Sequence, residues 1–486
     1  AGHTSPLVGQ TVTTTGIVTA VDSSGFYVQD PTGDGDLATS DALFISTGVD
    51  APPSVAVGDE AEITGLVSEL SSGAAGSQNL STTQISATTV SVLSSGNALP
   101  TPQIIGAGGR VVPNQAIDDD VFASFDPETD GIDFFESLEA MRVTGQDLVA
   151  VAGTNRFNEI FAVADNGADA TGLSQRGTLN ISPDDFNPEK IQIDEDSGLF
   201  DFDFPNVNVG DRLGDVTGVM SYSFGNFEIL PTEDFTATIQ PADLQPETAR
   251  LSGSISRLTI ASYNVLNLDP VVEDVLNVDE QDPANVDDDE GDGRFDAIAQ
   301  QIVANLNRPD IIGLQEIQDN TGAEINDGVT SASDTLQKLI DAIAAAGGPT
   351  YQFIDNTFIT ENASGGQPGG NIRTAFLYNP ARVDLVPGSV QTIGGQGVGE
   401  AFFDARLPIV ATFEFNGQPV TVVNNHFSSK SGSAPILGLE QPFEDRQEDV
   451  TVNGSLDERQ AQSTAVQGFV SNLLTADGEA NVVVLG

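Results

Sequence analysis

Three polar residues stand at the ends of apolar stretches in the last part of the chain. Asn264 follows Ile260-Ala261-Ser262-Tyr263. Glu316 follows Asp310-Ile311-Ile312-Gly313-Leu314-Gln315. His426 follows Val422-Val423-Asn424-Asn425. If these stretches are strands of one α/β sheet system, their ends meet where such sheets build sites. A carboxylate beside an amide oxygen suits a hard divalent cation such as Mg²⁺ or Mn²⁺. Such an ion takes one or two protein carboxylates and keeps its waters for a phosphate substrate. A histidine beside the ion is placed to act as general acid or base, or to donate to a phosphoryl oxygen. Arg406 and Lys430 stand out among 17 Lys and Arg set against 72 Asp and Glu, and could bind a phosphate. Each residue alone has a plainer reading: a solvated glutamate, a structural histidine, an arginine paired with one of many acids. The set, in this order, carries the expectation.

A second group of residues suits calcium. Asp30, Asp34, Asp36 and Asp41 lie in or beside one Gly-rich loop. Asp287, Asp289 and Asp292 lie in another, just before a helix that starts near Arg294. Both resemble Ca²⁺ loops in composition, though neither has full EF-hand spacing. The plainer reading is a solvated acidic loop, favourable at a helix N-terminus by the dipole alone.

Composition bounds the answer. The 486 residues carry a formal charge of −55, with 39% hydrophobic and 18% charged side chains. That is enough apolar material for cores, so a wholly disordered acidic chain is excluded. At about 100–200 residues per domain, roughly three domains are expected. With no Cys, disulfides, zinc–thiolate sites and thiol nucleophiles are excluded. No apolar run approaches the roughly 20 residues of a membrane span, so none is expected. The start at Ala1-Gly2-His3 fits a processed chain, hence an extracellular location, secreted or at the cell surface. The acid excess suits salty or divalent-rich water, where screening shortens charge repulsion to about 8 Å at 0.15 M salt and about 3 Å at 1 M. Plain solubility is the other reading.

The elements that must position these residues follow from periodicity. Within residues 1–96, Gln10–Val21 shows β-branched alternation, Gly25–Gln29 reads as its hairpin partner, and the further short runs lack helical spacing. They predict a small barrel of OB type. Residues 100–245 repeat the plan weakly: Val207-Asn208-Val209-Gly210-Asp211 and Thr217-Gly218-Val219 echo Val57-Gly58-Asp59 and Thr64-Gly65-Leu66-Val67. From 256 to 486, strands alternate with helical runs such as Phe295–Leu306, Thr335–Ala345 and Glu458–Leu474, which argues α/β. The fold class is therefore multidomain β plus α/β: two N-terminal OB-like β-barrel domains, then an α/β sandwich.

Tyr263-Asn264-Val265-Leu266-Asn267, Asp310-Ile311-Ile312-Gly313-Leu314-Gln315-Glu316-Ile317 and Asn424-Asn425-His426-Phe427-Ser428-Ser429-Lys430 together resemble successive motifs of the endonuclease/exonuclease/phosphatase superfamily, the DNase I-like fold. The layout is similar to that of ExeM/NucH-type extracellular nucleases, which place OB-like domains ahead of the nuclease domain. The resemblance implies that Asn264 and Glu316 help hold the catalytic metal and that His426 lies close to the scissile phosphate. It implies that Arg406 contacts phosphate, with Arg373 and Lys430 as further phosphate contacts. In this family an Asp-x-Asn and a second histidine follow a strand like Val482-Val483-Val484-Leu485. The sequence ends at Gly486, so residues 256–486 are expected to be the N-terminal part of a nuclease domain, inactive alone.

The leading expectation is a secreted, divalent-metal-dependent phosphodiesterase acting on extracellular DNA or RNA. Its rivals are a phosphomonoesterase or nucleotidase of the same fold, and a non-enzymatic acidic scaffold that associates with an extracellular matrix or with itself. Residues 1–100 contain no Lys or Arg. The barrel is therefore expected to space, stabilise or bind calcium rather than to grip a phosphate backbone.

Overall fold

Alternation in the first hundred residues closes a sheet on itself. In the computed structural model, which describes residues 2–48, 54–71, 79–120, 122–155, 157–182, 185–195, 199–200, 202–430 and 454–486, β1 (Thr11–Val21), β2 (Gly25–Gln29), β3 (Ala42–Ser46), β4 (Glu60–Ser71) and β5 (Ser81–Ser94) form a closed barrel in the order β1-β2-β3-β5-β4. Inward residues Val18, Phe26, Val28, Ile45, Ile63, Val67 and Ile85 fill it.

The next strands are β6 (Gln103–Ile105), β7 (Arg142–Ala150), β8 (Glu159–Val163), β9 (Ile191–Asp194), β10 (Arg212–Ser223) and β11 (Asn226–Pro231), with helix α1 (Gly131–Glu136) between β6 and β7. They form one sheet in the order β10-β11-β9-β8-β7-β6, and β10 pairs back to β7. The ring β7-β8-β9-β11-β10 thus has the same order as the barrel, and its β9–β11 pair is parallel as β3–β5 is. The weak sequence echo falls on β4 and β10, which hold the same place in the two rings. The described residues up to Leu244 form one compact unit. Within it the Arg142 N–H donates to Gln29 Oε1 at 2.9 Å and the Thr83 N–H donates to Glu139 Oε1 at 2.9 Å. His3 pairs with Asp133 at 2.7 Å; burial alone would lower its pKa, but Asp133 and Glu136 hold it up at about 9.

The described residues from Gln245 onward form the second unit. One sheet has the order β12 (Ile260–Leu268), β13 (Ile311–Ile317), β15 (Arg373–Tyr378), β14 (Gln352–Ile354). The other runs β16 (Asp384–Leu385), β18 (Ile409–Phe415), β19 (Gln418–Asn424), β20 (Asn481–Leu485), with β17 (Gln391–Thr392) on β18. Helices α2 (Arg294–Gln300) and α3 (Ser333–Ala345) carry apolar stripes, Phe295, Ile298 and Ala299 on one and Leu336, Leu339, Ile340 and Ile343 on the other. These pack on the outer face of β12, β13 and β15. A last helix, α4 (Leu456–Ala476), precedes β20. The periodicity of Phe295–Leu306 spans two local structures, since α2 loosens into a π turn at Gln301–Asn305. Among the described residues no helix is long and apolar enough to cross a membrane.

Between the two sheets Ile311, Phe376 and Tyr378 meet Ile409, Ala411, Phe413 and Val422. This interior is not wholly apolar. Asn424 is fully buried, and its Nδ2 donates to Leu314 O and Ala375 O, both at 2.9 Å. Its Oδ1 accepts from Gln315 Nε2 at 2.6 Å, and Gln315 Oε1 accepts from the Ser262 hydroxyl at 3.2 Å. Gly313 makes room for this network: a Cβ there would sit 2.4 Å from Leu485 Cδ1 and 3.0 Å from Asn424 Cγ. Gly313→Ala should therefore destabilise the protein by about 1–3 kcal/mol through overpacking. Asn424→Leu should cost at least as much, because each carbonyl it strands costs about 1–3 kcal/mol. Chemical denaturation of the two variants checks both values; a neutral Asn424→Leu would show that the amide network is dispensable.

Candidate active site

Glu316 owes its direction to a break in strand alternation. Ile312 and Leu314 of β13 face the helices, and period two would send residue 316 to the same side. Instead the pairing to β15 shifts register between Leu314 and Ile317, and Ile317 takes the helix-side place. Glu316 has φ +60°, a left-handed conformation unusual for a non-glycine residue. Such strain costs of order 1–3 kcal/mol and gathers at functional sites. β12 behaves alike: its register to β13 shifts between Asn264 and Leu268, with positive φ at Leu266 and Asn267. The two parallel strands thus break register side by side: Glu316 lies within the break on β13, and Asn264 is the last regularly paired residue before the break on β12.

Asn264 Nδ2 donates to Glu316 Oε1 at 2.8 Å, while Asn264 Oδ1 accepts the Leu266 N–H at 2.8 Å. His426 sits two residues beyond Asn424, the residue locked into the sandwich, so period two points it toward the same sheet. Its Nε2 lies 3.4 Å from Glu316 Oε1. Arg406 is nearly buried; one guanidinium nitrogen donates to Phe427 O at 2.6 Å and its Nε has no partner. Burial and the Arg406 charge push His426 down to about 4, against the upward pull of Glu316. The imidazole is therefore neutral at physiological pH, with Nδ1 buried and unpartnered. The structure brings Asn264, Glu316, His426 and Arg406 together.

Other expected residues stand elsewhere. Lys430 is exposed, beyond the end of β19. Arg373 is fully buried. It pairs with Asp355 at 3.2 Å and donates to Asn371 O at 3.1 Å and to Thr330 O. As a phosphate contact it is corrected: it is closed off from solvent and ties the segments at Thr330, Asp355 and Asn371 together, with Nη2 buried and unpartnered. The Asp30–Asp41 loop is corrected too. Asp30 accepts the Thr32 N–H, Asp34 the Asp36 N–H and Asp36 the Ala38 N–H, three successive turns, and Asp41 accepts the Asp34 N–H across the loop, so the four carboxylates fold the loop rather than converge on a point. Among the described residues, two carboxylate triads lie close enough to share an ion: Asp118, Asp120 and Asp130, and Asp269, Glu273 and Asp287. Asp287 belongs to the second of these. Asp289 is engaged by Arg294 and by the Asp269 N–H, and Asp292 is in neither triad.

Sequence reasoning passed over Gln315 and Asn424, although both lie inside the quoted motifs. The available signal was a polar residue in the middle of an apolar strand end. It also passed over Asp269 and Glu273, whose signal was two acids four apart immediately after β12.

Residues 104–241 match a domain of unknown function, DUF8508. That segment holds the second ring of strands. No curated protein matches the chain. Among solved structures, truncated Caenorhabditis elegans TDP2 is 18% identical over 46% of this chain and 59% of its own, with a TM-score of 0.25. A humanized D. rerio TDP2 is 16% identical over 47% and 64%, TM-score 0.25. The human Nocturnin catalytic domain with bound sulfate is 17% identical over 47% and 63%, TM-score 0.25. The chain spans about three fifths of the length of these solved chains.

With only His3 and His426 in the chain, imidazole resonances are directly assignable. In EDTA, Arg406→Met should raise the His426 pKa from about 4, because it removes a neighbouring positive charge. Glu316→Gln should lower it further. An NMR titration giving the opposite order would contradict the geometry described.

Proposed function

We propose that the chain carries the metal and phosphate site of a divalent-metal-dependent phosphoesterase of the endonuclease/exonuclease/phosphatase fold, acting as a nuclease on extracellular DNA or RNA. The observation that carries this reading is the meeting of Asn264, Glu316, His426 and Arg406, four residues far apart in sequence, at the ends of strands from both sheets. The groups suit Mg²⁺ or Mn²⁺: a carboxylate beside a neutral amide, no sulfur, and a Glu316 side chain 18% exposed and so open on one side. Glu316 would hold the metal, and Asn264, whose Nδ2 donates to Glu316 Oε1, would hold that carboxylate in place beside it. Bound there, the ion would polarise a phosphoryl oxygen and stabilise a leaving oxygen.

The protein's own groups do the rest. His426, held neutral by burial and Arg406, can donate one hydrogen bond to a phosphoryl oxygen or take one proton. Its distance to Glu316 places it against whatever Glu316 binds. Arg406 supplies a fixed positive charge in a nearly dry setting, where it acts on phosphate more strongly than in water. The buried Gln315–Asn424 pair keeps the two sheets, and hence Glu316 and His426, in register.

The N-terminal barrel supports the OB reading through its strand order and its closing parallel pair, and the second ring repeats both. With no Lys or Arg in residues 1–100, its contribution to substrate is spacing rather than electrostatic grip.

The test measures the native polypeptide with plasmid DNA, RNA and p-nitrophenyl phosphate in Mg²⁺ or Mn²⁺, beside Mn²⁺ binding by the chain itself. His426→Ala should lower turnover by about 10²–10⁴-fold. Glu316→Gln should abolish the tightest Mn²⁺ site and lower turnover at least as far. Phosphate release from the monoester with plasmid left intact would replace nuclease by phosphomonoesterase. Mn²⁺ binding unchanged in Glu316→Gln would remove the metal site, and the acidic scaffold reading would take its place.

A further inference from the structure

Behind the candidate active site lies a cluster of acids that the proposed chemistry does not use. Asp269 follows β12 directly and is fully buried; Glu273 is 5% and Asp289 1% exposed, and Asp287 opens to solvent. Oxygens of Asp269, Glu273 and Asp287 lie within 4.8 Å of one another. Asp269 Oδ1 accepts the Val271 N–H at 3.0 Å, but its Oδ2 is buried with no hydrogen-bond partner. Glu273 is fixed from both sides, by the Ala323 N–H at 3.0 Å and the Asp287 N–H at 3.1 Å. Gly322 leaves the wall open: a Cβ there would meet Glu273 Oε1 at 2.3 Å and Asp269 Cγ at 3.0 Å.

Nearby cations do not balance the cluster. Arg294 binds Asp289 and the carbonyls of Val265 and Leu266, and stands 3.9 Å from Asp287. Lys338 is engaged by Pro270 O and Glu290. Four carboxylates thus face one guanidinium. Burial, then the charges of Glu273, Asp287 and Asp289, push Asp269 up to about 8. A buried carboxyl group with an unpartnered oxygen and two further carboxylates within reach is costly as it stands and favourable around a cation.

We propose that Asp269, Glu273 and Asp287 bind a structural Ca²⁺ ion, with Asp289 and Arg294 orienting the set from behind. All donors are oxygen, which selects a hard cation. The ligands come from irregular loops, which suits the flexible six- to eight-fold coordination of calcium better than the strict octahedron of magnesium. The ion would tie the loop after β12 to the loop before α2 and, through Glu273 and Ala323, to the loop after β13. These loops leave the two strands that carry Asn264 and Glu316. The site stands whether or not the phosphoesterase reading does.

The experiment is calorimetric titration of the full chain with Ca²⁺, with thermal melts in Ca²⁺ and in EGTA. Wild type should melt higher in Ca²⁺. Asp269→Asn should bind one fewer Ca²⁺ and lose most of that rise, and in EGTA it should melt no lower than wild type, since it removes an acid crowded by Glu273, Asp287 and Asp289. Asp287→Asn, at the exposed edge, should fold normally and weaken the site at least tenfold. Unchanged Ca²⁺ stoichiometry in both variants overturns the proposal. So does an Asp269→Asn loss of stability equal in Ca²⁺ and EGTA, which would make the cluster a hydrogen-bonding device. Mg²⁺ giving the same rise at equal concentration overturns the choice of calcium.

Discussion

One buried amide contact, Gln315 Nε2 to Asn424 Oδ1, sets the arrangement of the candidate site. It crosses the interior of the α/β sandwich, and each partner lies next to or near a residue of the site: Gln315 precedes Glu316, and Asn424 is two before His426. A purely apolar interface would leave the sheets free to slide by part of a side chain at little cost, because dispersion contacts are weakly directional. Hydrogen bonds from Asn424 to the backbone of both β13 and β15 forbid that slide, since any shift strands buried carbonyls. Gly313 is the steric counterpart, allowing Leu485 and Asn424 to approach the backbone of β13.

The register breaks at Glu316 and after Asn264 supply the other half. A regular strand would bury Glu316 among the apolar residues under α2 and α3, where an ionised carboxylate is prohibitively costly. Left-handed backbone at Glu316 turns the residue out and lets Ile317 complete the core. Local strain is thus exchanged for a carboxylate presented beside an amide, an imidazole and a guanidinium. On β12 Asn264 keeps its regular place opposite Gln315, and the register shift that follows it, with left-handed Leu266 and Asn267, leads the chain into the loop that holds Asp269 and Glu273.

The acid excess has two physical faces. In the Asp30–Asp41 loop the acids are exposed or half-buried and accept backbone N–H groups that shape the loop. In a few places the acids are buried and crowded, as at Asp269 and Asp130, and there their charge must be met by protons or by a cation. Composition alone does not separate these cases, because both draw on the same residues.

Much of this was legible in the sequence because it is local. Period-two alternation marks β1 and β4, the apolar stripes mark α2 and α3, and strand ends mark Asn264, Glu316 and His426; these patterns depend on the residues within a few positions. The repeat of Val-Gly-Asp and Thr-Gly pointed to two similar β units, and those segments fall on β4 and β10. What tertiary structure decided was where charges end up. Arg373 looks like any other strand-start arginine in sequence, yet burial among Asp355, Asn371 and Thr330 makes it a brace. Asp269 looks like any other acid, yet it is walled in by residues from the loops before α2 and after β13. Desolvation and pairing depend on contacts between segments distant along the chain, and no local pattern encodes them.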